Sequence, residues 1–361
     1  VDYYFKKGDE KTGFKYLEML QNADPENGRA NIALGDYSMR KGDYDKAFEY
    51  FIKGFPSQDV DIDAKMNLII LLQESKYVTD PRLDTLINVL KLNHPNEAKS
   101  YTIAADQAMY DQDVKSATAY YRKALEFEKK IYPIWQQAIM LTYEENDMEK
   151  LYALTKECIE YFPSNPTVYY FKTIASIELN KPDEAIDAID AALIFLGTKD
   201  TEYIAELEAQ RGVAYFLKKD FNEGYKFLKA AMTKDPNSNV IKSIFALQMT
   251  KGKVHLDEAK KVINKAIELS SDHPHYHYVR GMVNFAQKDY KNALIDFENS
   301  ITFEPEDRWI GEYNERLGDA YFLTGDANKA LQFWTKAKEL GKSSDTLNKK
   351  ISNKIFYEEP L

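Results

Sequence analysis

Cysteine is almost absent, and the single thiol, Cys158, excludes an internal disulfide framework in a chain of 361 residues. One thiol does not separate a reducing cytosol from an oxidising periplasm. Arginine is scarce as well. Arg29, Arg40, Arg82, Arg122, Arg211, Arg280, Arg308 and Arg316 are scattered, and the formal charge is -10. Phosphate backbones and anionic lipid surfaces draw on concentrated positive charge, so neither nucleic acid nor a charged membrane surface is an expected ligand. No apolar run approaches the roughly 18 to 20 residues that a bilayer-spanning helix needs. There is no secretory signal, no phosphate-cradling glycine loop, no zinc-ligand spacing and no nucleophile elbow. No cofactor is therefore expected. The chain opens at Val1 rather than Met, which we read as a processing or truncation boundary, so the missing signal does not set the compartment.

What is present is a repeat. Small residues return at Gly13, Ala47, Leu83, Ala117, Leu151, Ala185, Gly224, Ala259, Ala293 and Ala330, in steps of 34, 36, 34, 34, 34, 39, 35, 34 and 37, with Leu83 and Leu151 as bulky exceptions. Four residues on come Leu17, Phe51, Ile87, Tyr121, Thr155, Ile189, Leu228, Ile263, Phe297 and Trp334. Three further on come Leu20, Gly54, Leu90, Ala124, Cys158, Ala192, Ala231, Ala266, Ser300 and Ala337. Positions i, i+4 and i+7 share one helix face, so each unit's second helix buries this stripe. A period near 34 predicts stacked helical hairpins, none of which buries its apolar face alone.

Pro25, Pro95, Pro163, Pro236 and Pro305 sit twelve residues after the small column, where each ends a hairpin and opens the next helix. Short turns such as Lys41-Gly42-Asp43 and Thr324-Gly325-Asp326 supply a left-handed glycine and a capping aspartate. Residues 55–95 are degenerate: Phe55-Pro56 breaks a helix, and Leu71 and Leu83 should push helices apart. An insertion near residues 197–203 lengthens one junction by about a turn. After Gly341, a helix over roughly Ser344–Tyr357 with Leu347, Ile351 and Ile355 on one face predicts a cap.

Leu317-Gly318-Asp319-Ala320-Tyr321 with Ala330 and Trp334, and Gly281 with Ala293, Phe297 and Pro305, carry a specific pattern. In these residues the chain resembles the tetratricopeptide repeat family. The resemblance implies an all-α, right-handed solenoid of about ten hairpins with a C-terminal capping helix. Residues 1–27 would be a truncated first repeat, 28–340 the array, and 341–361 the cap and tail.

The stretch Ala330-Leu331-Gln332-Phe333-Trp334 and the segment Asp63-Ala64-Lys65-Met66-Asn67 look like exported repeat lipoproteins of Bacteroidota. That likeness implies a missing N-terminal part with a lipidated cysteine, which would be the sole membrane attachment. It also implies a place on the periplasmic side of the outer membrane and protein partners in secretion or envelope assembly. A soluble cytosolic adaptor is the alternative, and a glycan-active hydrolase a distant third.

In the resembled family, first helices line a concave groove. Its positions carried over here are Met109; Gln136, Met140 and Tyr143; Tyr170, Ile174 and Ile177; Phe216; Tyr278, Met282 and Phe285; and Phe322. Glu315 and Asp319 hold the same register. These side chains either face a partner or pack on second helices; the period alone does not separate the two. Ile32 with Asp36, and Tyr278 with Met282, are not the Lys and Asn that grip a chaperone tail.

Other candidate chemistry is weaker. Cys158 lies in the buried stripe and reads as packing. A metal site needs at least three converging ligands. In the group His273, His275 and His277 the last two, two apart at a helix start, point in different directions, so no metal site is expected and a solvated junction is the default. His94 and His255 are isolated. Acidic pairs such as Asp183-Glu184 fall at helix starts, where the dipole favours them, and none is nominated as catalytic.

Overall fold

Turn chemistry builds the hairpins. Asp43, Asp113, Asp147, Asp220 and Asp326 each accept the N–H three residues on, at 3.3, 3.1, 3.1, 3.2 and 2.9 Å. Each satisfies an orphan donor of a second helix. Gly42 and Gly325 take the left-handed conformation just before, as expected. In six other turns a non-glycine residue takes it: Gln112, Asn146, Asn180, Lys219, Lys253 and Lys288 have φ between 54° and 62°. The backbone bonds that close these turns, such as Asp113 N–H to Ala108 O and Asp289 N–H to Asn284 O, both 2.8 Å, offset the steric cost.

The computed structural model describes residues 3–4, 7–197, 199–303 and 309–358, and the described elements are all helices. They form two compact units, Val1–Pro163 and Ser164–Leu361. In the first, α1 (Glu10–Ala23) precedes the hairpins α2/α3 (Gly28–Arg40, Tyr44–Gly54), α4/α5 (Ile62–Gln73, Pro81–Asn93), α6/α7 (Ala98–Tyr110, Val114–Phe127) and α8/α9 (Tyr132–Glu144, Met148–Tyr161). In the second, the hairpins are α10/α11 (Pro166–Glu178, Pro182–Ile194), α12/α13 (Thr201–Leu217, Phe221–Lys234), α14/α15 (Asn239–Lys251, Leu256–Leu269), α16/α17 (Pro274–Ala286, Tyr290–Phe303) and α18/α19 (Ile310–Leu323, Ala327–Glu339). The cap α20 (Asp345–Asn353) follows. Each unit is a helical-repeat solenoid.

All ten small-column residues are buried, and so are all ten residues of the second column. The third column is buried except Leu20, which is 40 % exposed. Glycine matters where helices of one hairpin touch. A Cβ on Gly281 would sit 2.6 Å from Phe297, and one on Gly318 would sit 2.5 Å from Trp334. The first helix thus gives up a side chain so that the second can insert an aromatic ring. In the second unit one core runs from Ala205 to Leu347.

Several expectations need correction. Pro25, Pro95, Pro163 and Pro236 end hairpins but lie before the next helix; the prolines in first turns are Pro81, Pro133, Pro166, Pro182 and Pro274. Pro305 lies outside the described residues. The degenerate region does form a hairpin, but Glu74–Asp80 join its helices where Lys41–Asp43 suffice in α2/α3. Leu83 is buried, whereas Leu71 is 49 % exposed. The insertion extends α12 itself: it has 17 residues where α10, α14 and α16 have 13. Thr198 lies outside the described residues.

The cap is shorter than the sequence implies. Ser344 accepts from Leu347 N–H at 3.0 Å, the helix ends at Asn353, and Lys354 turns left-handed at φ 55°. Ile355 is thereby exposed. The cap is pinned by charge as well as by Leu347. Lys350, fully buried, donates to Glu315 and Asp319 of α18 at 2.9 Å each. Those two carboxylates share the groove register but belong to the cap contact, because buried charge needs a partner more than a partner segment needs it.

Cys158 is buried, and burial pushes its thiol up to about 12. His277 is not solvated: it is buried, with Nε2 2.7 Å from Ser271 O. His94 is not isolated either, since its Nε2 lies 3.1 Å from the buried Lys65 ammonium, which also donates to Ser57 O at 2.8 Å.

Candidate protein-binding groove

The first helices of the second unit line an open groove of about 850 Å³. Of the positions named from sequence, Ile177, Phe216, Tyr278 and Met282 line it. Tyr278 and Met282 are themselves largely buried, at 7 % and 3 % exposed, so they form its floor and present little free surface. Phe216 is wedged against Gly224 and Gly252. Tyr170 and Ile174 are half-buried and do not line the cavity; Tyr170 packs on Phe171 and Tyr203. Phe285 and Phe322 are half-buried beneath Phe356, with ring centroids 6.2 and 6.4 Å away. In the first unit, Met109, Gln136 and Met140 are exposed and Tyr143 is half-buried.

Sequence reasoning missed α14. Its Ile244, Gln248 and Lys251 line the groove. They stand 15, 11 and 8 residues before Ala259, as Tyr278, Met282 and Phe285 stand before Ala293. The register was therefore sufficient to find them; α14 carries neither glycine nor an aromatic residue at the positions that mark the other first helices.

One end of the groove is charged. Glu312 pairs with Lys342 and lies 3.6 Å from Arg316, and Tyr278 Oη donates to it at 3.5 Å. Burial opposes ionisation of Glu312, but Lys342 and Arg316 together outweigh it and lower its pKa. Burial and the nearby carboxylate push Tyr278 up, so its hydroxyl stays a donor. Asn180, Gln210 and Gln248 add uncharged polar groups along the wall, and Lys219 and Lys251 add exposed cations. Apolar floor, amide walls and charged ends suit a polypeptide chain, whose backbone needs donors and acceptors throughout. Among the described residues, no three His, Cys, Asp or Glu side chains are grouped to hold a metal ion.

Family models described as tetratricopeptide repeats match residues 28–55 and 255–307. Within those matched stretches the helices are tetratricopeptide repeats. The chain is similar to a TPR repeat-containing protein of Methanocaldococcus jannaschii, 21 % identical over 331 residues, covering 84 % of this chain and 57 % of that one. It is also similar to a DnaJ homolog subfamily C member 7 homolog of Dictyostelium discoideum, 24 % identical, covering 49 % of this chain and 36 % of the relative. The chain thus spans little more than half the length of the first of these relatives, and about a third of the second. Among solved structures, a tetratricopeptide repeat protein from Parabacteroides merdae aligns at TM-score 0.57, with 14 % identity, over 71 % of this chain and 98 % of that one. The APC/C hetero-tetramer Cut9-Hcn1 aligns at 0.51, with 13 % identity, over 91 % of this chain and 69 % of the other. At these identities the likeness is one of fold.

Proposed function

We propose that this chain is a non-enzymatic scaffold that holds a helix or extended segment of a partner protein in the groove of its second unit. The carrying observation is the groove itself: successive first helices contribute apolar side chains at one register, open to solvent and flanked by amides and cations. Such a surface gains affinity from a few buried anchors rather than from area. Exposed Ile194 and Leu269 lie outside it.

The setting we propose is a bacterial envelope complex, on the periplasmic side of the outer membrane. It rests on the resemblance of the C-terminal repeats to exported repeat lipoproteins. A photo-crosslinking residue placed at Ile244, with an identical one at exposed Ile194 as control, tests both parts. The expected result is a protein adduct from Ile244 alone, containing outer-membrane components when made in membranes of the source cell. Adducts only with cytosolic proteins would overturn the setting; equal adducts from both positions would overturn the groove.

A further inference from the structure

The left-handed turn residue after three successive first helices is a lysine: Lys219 after α12, Lys253 after α14 and Lys288 after α16. Glycine or asparagine meets that backbone at lower cost, as Gly42, Asn146, Asn180 and Gly325 do elsewhere in the chain. All three lysines are exposed, and they stand at one edge of the groove because their helices pack in sequence. Lys219 and Lys251 line it directly. A chain of net charge -10 has thus placed a row of cations along one rim.

The segment after α20 already lies on this rim. Lys354 reverses the chain, and Phe356 settles over Phe285 of α16 and Phe322 of α18. Lys350 Nζ stands 5.7 Å from the Phe356 ring centre. Two residues on, Glu358 meets Lys253 at 2.9 Å. Lys253, with Lys288 behind it, holds the Glu358 carboxyl below its ordinary range. The strap therefore runs against the repeat order, from α18 past α16 to the turn after α14. Its grip is slight: Phe356 is half-buried, and the side chains of Lys253 and Glu358 are 63 % and 68 % exposed.

We propose that this rim binds an extended acidic protein segment with an aromatic anchor, and that the strap Ile355–Glu358 is an internal ligand occupying part of the same seat. The proposal deepens the groove reading above and rests on it. Neighbouring first helices lie about 8–10 Å apart and an extended chain rises about 3.3 Å per residue, so carboxylates roughly every third residue meet successive lysines. The strap supplies one such carboxylate, and a partner supplying more would displace it.

The probe is a labelled ten-residue peptide with one Phe and Glu at every third position, beside a control with Lys replacing each Glu. Both are titrated into the 361-residue chain by fluorescence anisotropy. The acidic peptide alone should bind, and more weakly as salt rises. Phe356→Ala should tighten it by ~5-fold or more, because an internal competitor is lost. The triple variant Lys219→Gly, Lys253→Gly, Lys288→Gly should weaken it by ~10-fold or more. Its melting temperature should hold or rise, since glycine suits those turns, which separates binding from folding. Equal binding of both peptides, no effect of Phe356→Ala, or full binding by the triple variant would overturn the proposal. If the peptide fails while Ile244 still captures a partner, the groove reading stands and only the ligand chemistry falls.

Discussion

Two residues show how closely this array is tuned. Gly281 leaves room for the Phe297 ring, and an added Cβ would sit 2.6 Å from it. Gly281→Ala should therefore cost about 1–3 kcal/mol in urea unfolding. Phe297→Leu in the same chain should recover part of that loss, since the clash is with the ring edge. The second case is electrostatic. His94 is kept neutral, first by burial and then by the Lys65 charge, so its pKa lies below the ordinary 6.5; Asp61 and Glu97 oppose this without reversing it. The unfolded chain then binds the His94 proton more readily than the folded one. Stability from this site is full above about 6.5 and is lost as pH falls through that value towards the folded pKa. The urea midpoint should drop between pH 7.5 and 5.0, and His94→Gln should remove a measurable part of that drop. An unchanged pH dependence in the variant would show that the His94 proton is not linked to folding.

At the scale of elements, α20 is fastened by a charge that cannot be removed cheaply. Lys350, Glu315 and Asp319 are each fully buried. Burial pushes the Asp319 carboxyl up to about 6 even with Lys350 and Arg316 beside it. Lys350→Met should cost about 3–5 kcal/mol, because Glu315 and Asp319 both lose the Lys350 ammonium and the only cation Asp319 keeps is the more distant Arg316. Adding Glu315→Gln and Asp319→Asn should restore most of it, as read from urea midpoints and from amide exchange in α20.

The same elements show where sequence reading succeeds. Gly13 through Ala330 fixed every second helix, because a residue squeezed between helices has little choice of size. The groove was half legible. Its register was visible, but α14 escaped for want of an aromatic landmark, and Glu315 and Asp319 were placed in a groove that Lys350 closes. The fold-back of Phe356 had no local signal at all, since it depends on rings 71 and 34 residues away.

For the whole molecule, apart from the strap at Phe356 and Glu358, helix contacts are those of neighbouring repeats, so stability should be local. Gly35 sets the test, since a Cβ there would lie 2.4 Å from Phe51. Gly35→Leu should speed amide exchange in α2 and α3 and leave α16 through α19 unchanged. Uniform loss of protection along the chain would instead show one cooperative unit.

The extra length of α12 bears on how such a chain tolerates change. Its added residues stand at the helix start, ahead of the buried stripe, and Tyr203 there reaches Pro166 O at 3.1 Å. Four residues turn a helix by about 400°, close to one full revolution. A block of that size enters or leaves with every downstream contact still in phase, whereas a single-residue deletion inside the stripe would rotate the remainder by about 100° and misdirect it. Inside a helix of this array, length is therefore best added in whole turns.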